Sequence, residues 1–152
     1  EPVFLQAQGA GAECMLVAEQ IERLMQCGLS SGQILVIDAS GRLVEALLGI
    51  IQQRGGCEAV LAGDATNRKQ LRVATINSCT GIESAVVIIV GLDALFERED
   101  SFLLNATERE VLQQQNTKKV FVAFTRASLR LLIVYKEKRT LDRILPVPQR
   151  AL

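Results

Sequence analysis

The chain has 152 residues, 49% of them hydrophobic, enough for one domain with a sizeable core, while two domains would be cramped. Seventeen Lys/Arg balance seventeen Asp/Glu, and the absence of His removes imidazole from any mechanism, excluding a Ser-His triad and a His-ligated metal within these residues. The cysteines Cys14, Cys27, Cys57 and Cys79 are scattered without a CxxC pair, which argues against zinc and for reduced cytosolic thiols.

In chain order, Val3 to Gln6 reads as a short strand, followed by a turn at Gly9-Ala10-Gly11-Ala12. Val17, Ile21, Leu24 and Met25 then recur at helical spacing, with Gly28 as the stop. Ile34 to Ile37, ending at Asp38, is a continuous apolar run of the buried-strand kind. The stripe Leu43, Leu47, Ile50 and Ile51 gives a second helix stopping at Gly55-Gly56. Glu58 to Leu61 and Leu71 to Ile76 are two further strands around the polar segment 63–70, and Ala85 to Val90 is the most apolar strand. Thr107-Glu108-Arg109-Glu110 reads as a capping box opening a helix toward Gln115. A second helical piece from Thr117 turns Val120, Phe124 and Ala127 inward, Leu129 to Tyr135 is the last core strand, and Thr140 to Leu145 forms a short helix before Pro146 and Pro148.

Alternating helices and strands with β-branched runs predict an α/β sandwich around a mainly parallel sheet, one domain over 1–152. No apolar run approaches the roughly twenty residues of a membrane span, and no basic stretch leads into an apolar one as in a signal peptide, so a cytoplasmic location and no membrane partner are expected. The first residue is Glu1 rather than Met, which suggests an excised domain.

Charge is unevenly spread. Residues 1–117 carry 8 Lys/Arg against 15 Asp/Glu, and residues 118–152 carry 9 against 2, so the two parts carry about −7 and +7. A polar helical tail would explain some of this; a phosphate-facing surface needs the same basic excess.

Two segments carry candidate chemistry. In Val73 to Ser84 a strand ends in hydroxyl and amide side chains, and Gly81, which lets backbone approach a ligand, is followed by Glu83. Because ligands in open parallel sheets gather at the carboxyl ends of strands, this loop is placed there. The second segment, Val120 to Ala127, holds Arg126 between a helix and a buried strand. A guanidinium so held can grip phosphate oxygens, although a cation near a helix C-terminus is also common for dipole reasons. Glu83 likewise has an ordinary reading as a solvated loop charge.

In order and spacing these segments resemble the fifth and sixth motifs of superfamily 1 helicases, particularly the UvrD/Rep group, in the C-terminal RecA-like lobe. The family's fifth motif runs Val-x-Thr-Ile-His-x-x-Lys-Gly-Leu-Glu-Phe, and Val73, Thr75, Ile76, Gly81 and Glu83 stand in register, with the following strand closing at Gly91. The sixth runs Tyr-Val-Ala-x-Thr-Arg-Ala, and Phe121 to Ala127 matches it almost residue for residue.

The resemblance implies a RecA-like three-layer sandwich in which ATP with magnesium is held mainly by a separate N-terminal lobe. It makes Arg126 the catalytic arginine on the γ-phosphate, with Gly81 and Glu83 beside the nucleotide ribose. Thr75, Asn77 and Thr80 fall where the family meets single-stranded DNA, or RNA. Departures accompany the matches. The family's His is Asn77, its Lys is Thr80 and its Phe is Ser84; the fourth-motif arginine has Asp38-Ala39-Ser40 in its place, with Arg42 nearest. No Gly-Lys-Ser/Thr phosphate loop is present, so the chain alone is not expected to hydrolyse ATP. The short segment 63–70 stands where larger relatives carry an insertion. Three readings follow: a motor lobe of a helicase or translocase; a degenerate RecA-like module binding nucleic acid or protein; and an unrelated nucleotide-binding enzyme, which leaves the paired motifs to coincidence.

Overall fold

The computed structural model describes residues 1–9, 11–54 and 56–145. Six strands form one sheet: β1 (Val3–Gln6), β2 (Ile34–Asp38), β3 (Ala59–Leu61), β4 (Leu71–Thr75), β5 (Ser84–Val90) and β6 (Ala127–Tyr135). Their spatial order is β1-β6-β5-β2-β4-β3, and every pairing is parallel. The five α-helices of the described residues are α1 (Ala12–Gln26), α2 (Val44–Arg54), α3 (Leu92–Glu97), α4 (Ala106–Phe124) and α5 (Lys138–Ile144).

The two-residue side-chain period of a strand sorts the core into two layers. Leu35, Ile37, Val87, Ile89, Leu131 and Ile133 face one way and pack with Leu92, Leu95, Phe96, Val120, Ala123, Phe124 and Ile144 from α3, α4 and α5. Ile34, Val36, Val86, Ile88, Leu132 and Val134 face the other way, against Val17, Ile21, Leu24, Leu47 and Ile51 of α1 and α2. Strands covered on both faces favour apolar side chains along their length, which is why Ile34–Ile37 of β2 and 85–90 of β5 read as unbroken runs, with the polar Asp38 and Ser84 only at strand ends.

Local chemistry moves several boundaries. Helix α4 is continuous, and its cap is Asn105 rather than Thr107. The Asn105 side chain accepts from Glu108 N at 2.8 Å and the Glu108 carboxylate accepts from Asn105 N at 3.0 Å. Thr117 does not start a new helix; its hydroxyl donates to the Gln113 carbonyl one turn back at 2.9 Å, so it sits inside a helix without interrupting it. Ala127 opens β6 instead of ending a helix. Helix α3 was not expected, being six residues long and too short to display a period. The breaks at Pro146 and Pro148, and residues Ala10 and Gly55, lie outside the described residues.

The connection from β4 to β5 is unusual for a parallel pair because it contains no helix. Thr75 pairs with Asp38 at the carboxyl end of β2, whereas Val86 pairs with Ile34 at its amino end. Segment 76–83 therefore returns the chain across the sheet, and Ile76, Cys79 and Ile82 seal it onto the α3–α5 face.

At the carboxyl end of β2, Asp38 is fully buried and accepts from Ser40 N at 2.9 Å, Ser40 Oγ at 2.6 Å and Leu43 N at 2.7 Å, fixing the turn into α2. Gly91 presses on this turn with φ +80°, and a Cβ there would stand 2.7 Å from Asp38 Oδ1 and 2.9 Å from Ser40 N. Gly91→Ala is expected to lower stability by about 2–4 kcal/mol, through left-handed strain and overpacking together. A urea midpoint unchanged by this substitution would refute the close approach.

Candidate functional site

The crossover divides the candidate residues between two edges of the sheet. Thr75 ends β4 at the carboxyl edge and Asn77 follows in the exposed turn, while Glu83 stands at the amino edge, immediately before β5. Placing the whole 73–84 segment at the carboxyl ends of strands is therefore corrected. A parallel crossover must bring the chain back to the opposite edge, so only its first half lies where it was expected.

Arg126 reaches the same amino edge from α4. Ser84 pairs with Ala127, and Ser84 N donates to the Arg126 carbonyl at 3.0 Å, so Glu83 and Arg126 precede neighbouring strands. The Arg126 side chain folds back on the end of α4, with Nε donating to the Val122 carbonyl at 3.1 Å and Nη2 to Thr125 Oγ1 at 3.2 Å. A cation there also complements the helix dipole. Glu83 is exposed and takes part in no ion pair among the described residues.

Gly81 adopts φ +80° in the exposed turn before Glu83, and a Cβ there would meet nothing within 4 Å. Its requirement in this structure is conformational, not one of crowding. Thr80 is exposed beside it. Thr75 is half-buried and already engaged: its N–H donates to Ser78 Oγ at 3.0 Å, and the two hydroxyl oxygens are 2.9 Å apart. Ser78 thus holds the candidate Thr75 in place, a role that only the hydroxyl-rich composition of the turn suggests in the sequence. Asn77 remains exposed at the turn's tip.

Arg42 does not join Arg126. Its backbone N–H donates to Ser40 Oγ at 3.0 Å beside Asp38, which puts Arg42 at the carboxyl edge, across the sheet from the Glu83–Arg126 pair. Arg72 does arrive at that pair. Its Nη2 donates to the Glu83 carbonyl at 3.1 Å, a contact made across β2 that no local pattern announces.

The basic C-terminal part is less free than its net charge suggests. Lys136 lies 3.1 Å from Glu13, Arg139 2.7 Å from Asp100, and Arg143 3.6 Å from Glu99 while stacked 4.9 Å above the Phe96 ring. The Lys136 ammonium is held above its ordinary range chiefly by its hydrogen bond to Glu13. Among the described residues, three of the basic residues of the last part therefore close ion pairs with the first. Among the described residues, no group of three or more His, Cys, Asp or Glu could hold a metal ion, and no helix is long and apolar enough to cross a membrane.

Among solved structures, the chain is similar to the C-terminal domain of a possible DNA helicase from Lactobacillus plantarum WCFS1. The two share 18% sequence identity with a TM-score of 0.59, over 89% of this chain and 73% of that one. No protein-family model and no curated protein matches the chain. At that identity the likeness establishes the fold: an α/β, RecA-like sandwich around an all-parallel sheet.

Cys79 anchors the crossover from within, fully buried, its thiol donating to the Ile76 carbonyl at 3.3 Å. Burial pushes this thiol above its ordinary range, with the Arg126 guanidinium pulling the other way, and burial likewise raises Cys14 and Cys57. Because the thiolate is the reactive form, native-state alkylation near neutral pH should label exposed Cys27 roughly tenfold or more faster than the other three. Raising the pH should narrow the gap for half-buried Cys57, while Cys14 and Cys79 wait for denaturant. Peptide mass spectrometry over a labelling time course gives the order, and early modification of Cys79 would contradict the sealed crossover.

Proposed function

We propose that this chain is the second motor lobe of an ATP-dependent superfamily 1 DNA helicase or translocase of the UvrD/Rep kind, working with an N-terminal RecA-like lobe that supplies the phosphate loop and the magnesium carboxylate. The observation that supports it most is the crossover: one segment, 76–83, joins Thr75 and Asn77 at one edge to Glu83 beside Arg126 at the other. In this reading Arg126 stabilises charge on the γ-phosphoryl oxygens during transfer, and the Glu83 carboxylate accepts hydrogen bonds from the ribose hydroxyls. The amino edge suits such a ligand, with an exposed carboxylate for a diol and a guanidinium for phosphate. Bound ATP with magnesium supplies the phosphoryl group. Thr75, Asn77 and Thr80 meet the backbone of single-stranded DNA, RNA being the alternative strand, and the crossover carries displacement between the two edges.

A non-catalytic RecA-like module that binds nucleic acid or protein is favoured by one observation, the engagement of the Arg126 side chain with its own helix. The two readings separate on Arg126→Ala in the full-length protein. As a motor lobe it should lose about a thousandfold in DNA-stimulated ATPase rate with DNA binding intact; an unchanged rate would sink the motor reading. Asn77→Ala should weaken single-stranded DNA binding about 2- to 10-fold, the scale of one lost hydrogen bond, while leaving ATPase activity without DNA unaltered. Fluorescence anisotropy with a labelled oligonucleotide measures the first quantity and steady-state phosphate release the second.

A further inference from the structure

Arg42, the residue nearest the fourth-motif position, stands at the carboxyl edge, so of the arginines singled out by the motifs Arg126 alone lies at the amino edge. A nucleotide edge with a single guanidinium would leave much of a triphosphate's charge unmet by this lobe. We propose that Arg72 supplies the second guanidinium, contacting the terminal phosphates together with Arg126. This inference rests on the motor-lobe reading and deepens it.

Three observations carry it. Leu71 and Val73 point into the α1–α2 layer and Ala74 into the α3–α5 layer, so Arg72 projects from the α3–α5 face, the side on which the crossover and α4 run. Its guanidinium passes β2 and reaches the Glu83 carbonyl at 3.1 Å, so it lies one strand step, about 4.8 Å, from the strand that Arg126 leads into. The two arginines therefore flank Glu83. Finally, of the five N–H donors of a guanidinium, Arg72 uses one; among the described residues it has no carboxylate partner, and it lines an open groove with Ser30, Gln33, Asn67 and Arg68. A backbone carbonyl alone needs no charged donor. A cation held by one contact at the edge of a ligand cleft, with its remaining donors accessible, suits a phosphate oxygen.

The rival explanation is that Arg72 only pins Glu83, and ATP against ADP distinguishes them. Arg72→Gln removes the charge while keeping an amide donor. In the full-length protein it should weaken binding of a non-hydrolysable ATP analogue about 10- to 100-fold and that of ADP about 2-fold or less, with Arg72→Lys recovering part of the loss. Arg72→Met, which keeps the apolar stem, serves the same comparison should the Gln variant melt early. Equal losses for both nucleotides would overturn the proposal, because a displaced Glu83 acts through the ribose they share. No loss for either, with Arg126→Ala still reducing the preference for ATP, would overturn it while leaving the motor-lobe reading standing. If neither Arg126→Ala nor Arg72→Gln alters the preference for ATP over ADP, that reading falls and this inference with it.

Discussion

The connection between β4 and β5 must cross β2 from its carboxyl end to its amino end, and it has only residues 76–83 with which to do so. A five-residue strand is about 16 Å long, and the crossing adds two strand spacings, about 10 Å sideways. Eight residues fully extended span at most about 28 Å. After allowance for the turn at Thr75–Ser78 and the climb over the sheet, little slack remains. A helix would not fit, so the face it would cover is closed by the segment's own Ile76, Cys79 and Ile82. That tautness fixes Glu83 beside Arg126 and makes the positions of the two edges interdependent.

Electrostatics follow from the same arrangement. Acidic residues of the first part of the chain receive basic ones from the last, through Glu13–Lys136, Asp100–Arg139 and Glu99–Arg143. Asp93 holds the same boundary by accepting from Lys136 N, Glu137 N and Thr140 Oγ1 at 3.0, 2.9 and 2.7 Å, tying the start of α5 to α3. These contacts gather near the carboxyl ends of β5 and β6. Arg72 and Arg126, toward the amino edge, have no such carboxylate partners among the described residues. Asp100–Arg139 is exposed on both sides and contributes little, whereas Glu13 and Glu99 are buried carboxylates that need their cations.

The parts of the fold that were legible in the sequence are those set by local periodicity. Ile34 to Ile37 and Val86 to Val90 are buried on both faces, and the apolar runs they belong to mark β2 and β5 to within a residue or so. Helix α3 escaped because six residues carry no repeat, and α4 was divided because Thr117 looks like a cap when its hydroxyl's partner one turn back is unknown. For the candidate site, residue types and spacing single out Glu83 and Arg126 as candidates but not which edge they share. Edge assignment depends on the parallel pairing of β4, β2 and β5, a non-local fact. The same fact puts Arg42 at the opposite edge and brings the Arg72 guanidinium to the Glu83 carbonyl, across a strand that is distant in sequence.

The engagement of Arg126 with its own helix does not prevent it from serving a ligand. A guanidinium has a side-on fork, Nε with Nη2, and an end-on fork, Nη1 with Nη2. The Val122 carbonyl and Thr125 Oγ1 take one donor each from the side-on fork. Three of the five donors remain, and two of them form the end-on fork, enough for a bidentate grip on a phosphate without leaving the helix end. Holding Nε on a helix carbonyl also restricts the side chain before any ligand arrives, so less conformational entropy is lost on contact. Thr125 then acts as a brace for the neighbouring guanidinium, which gives the Thr-Arg pair a physical reason to stand together at the end of α4.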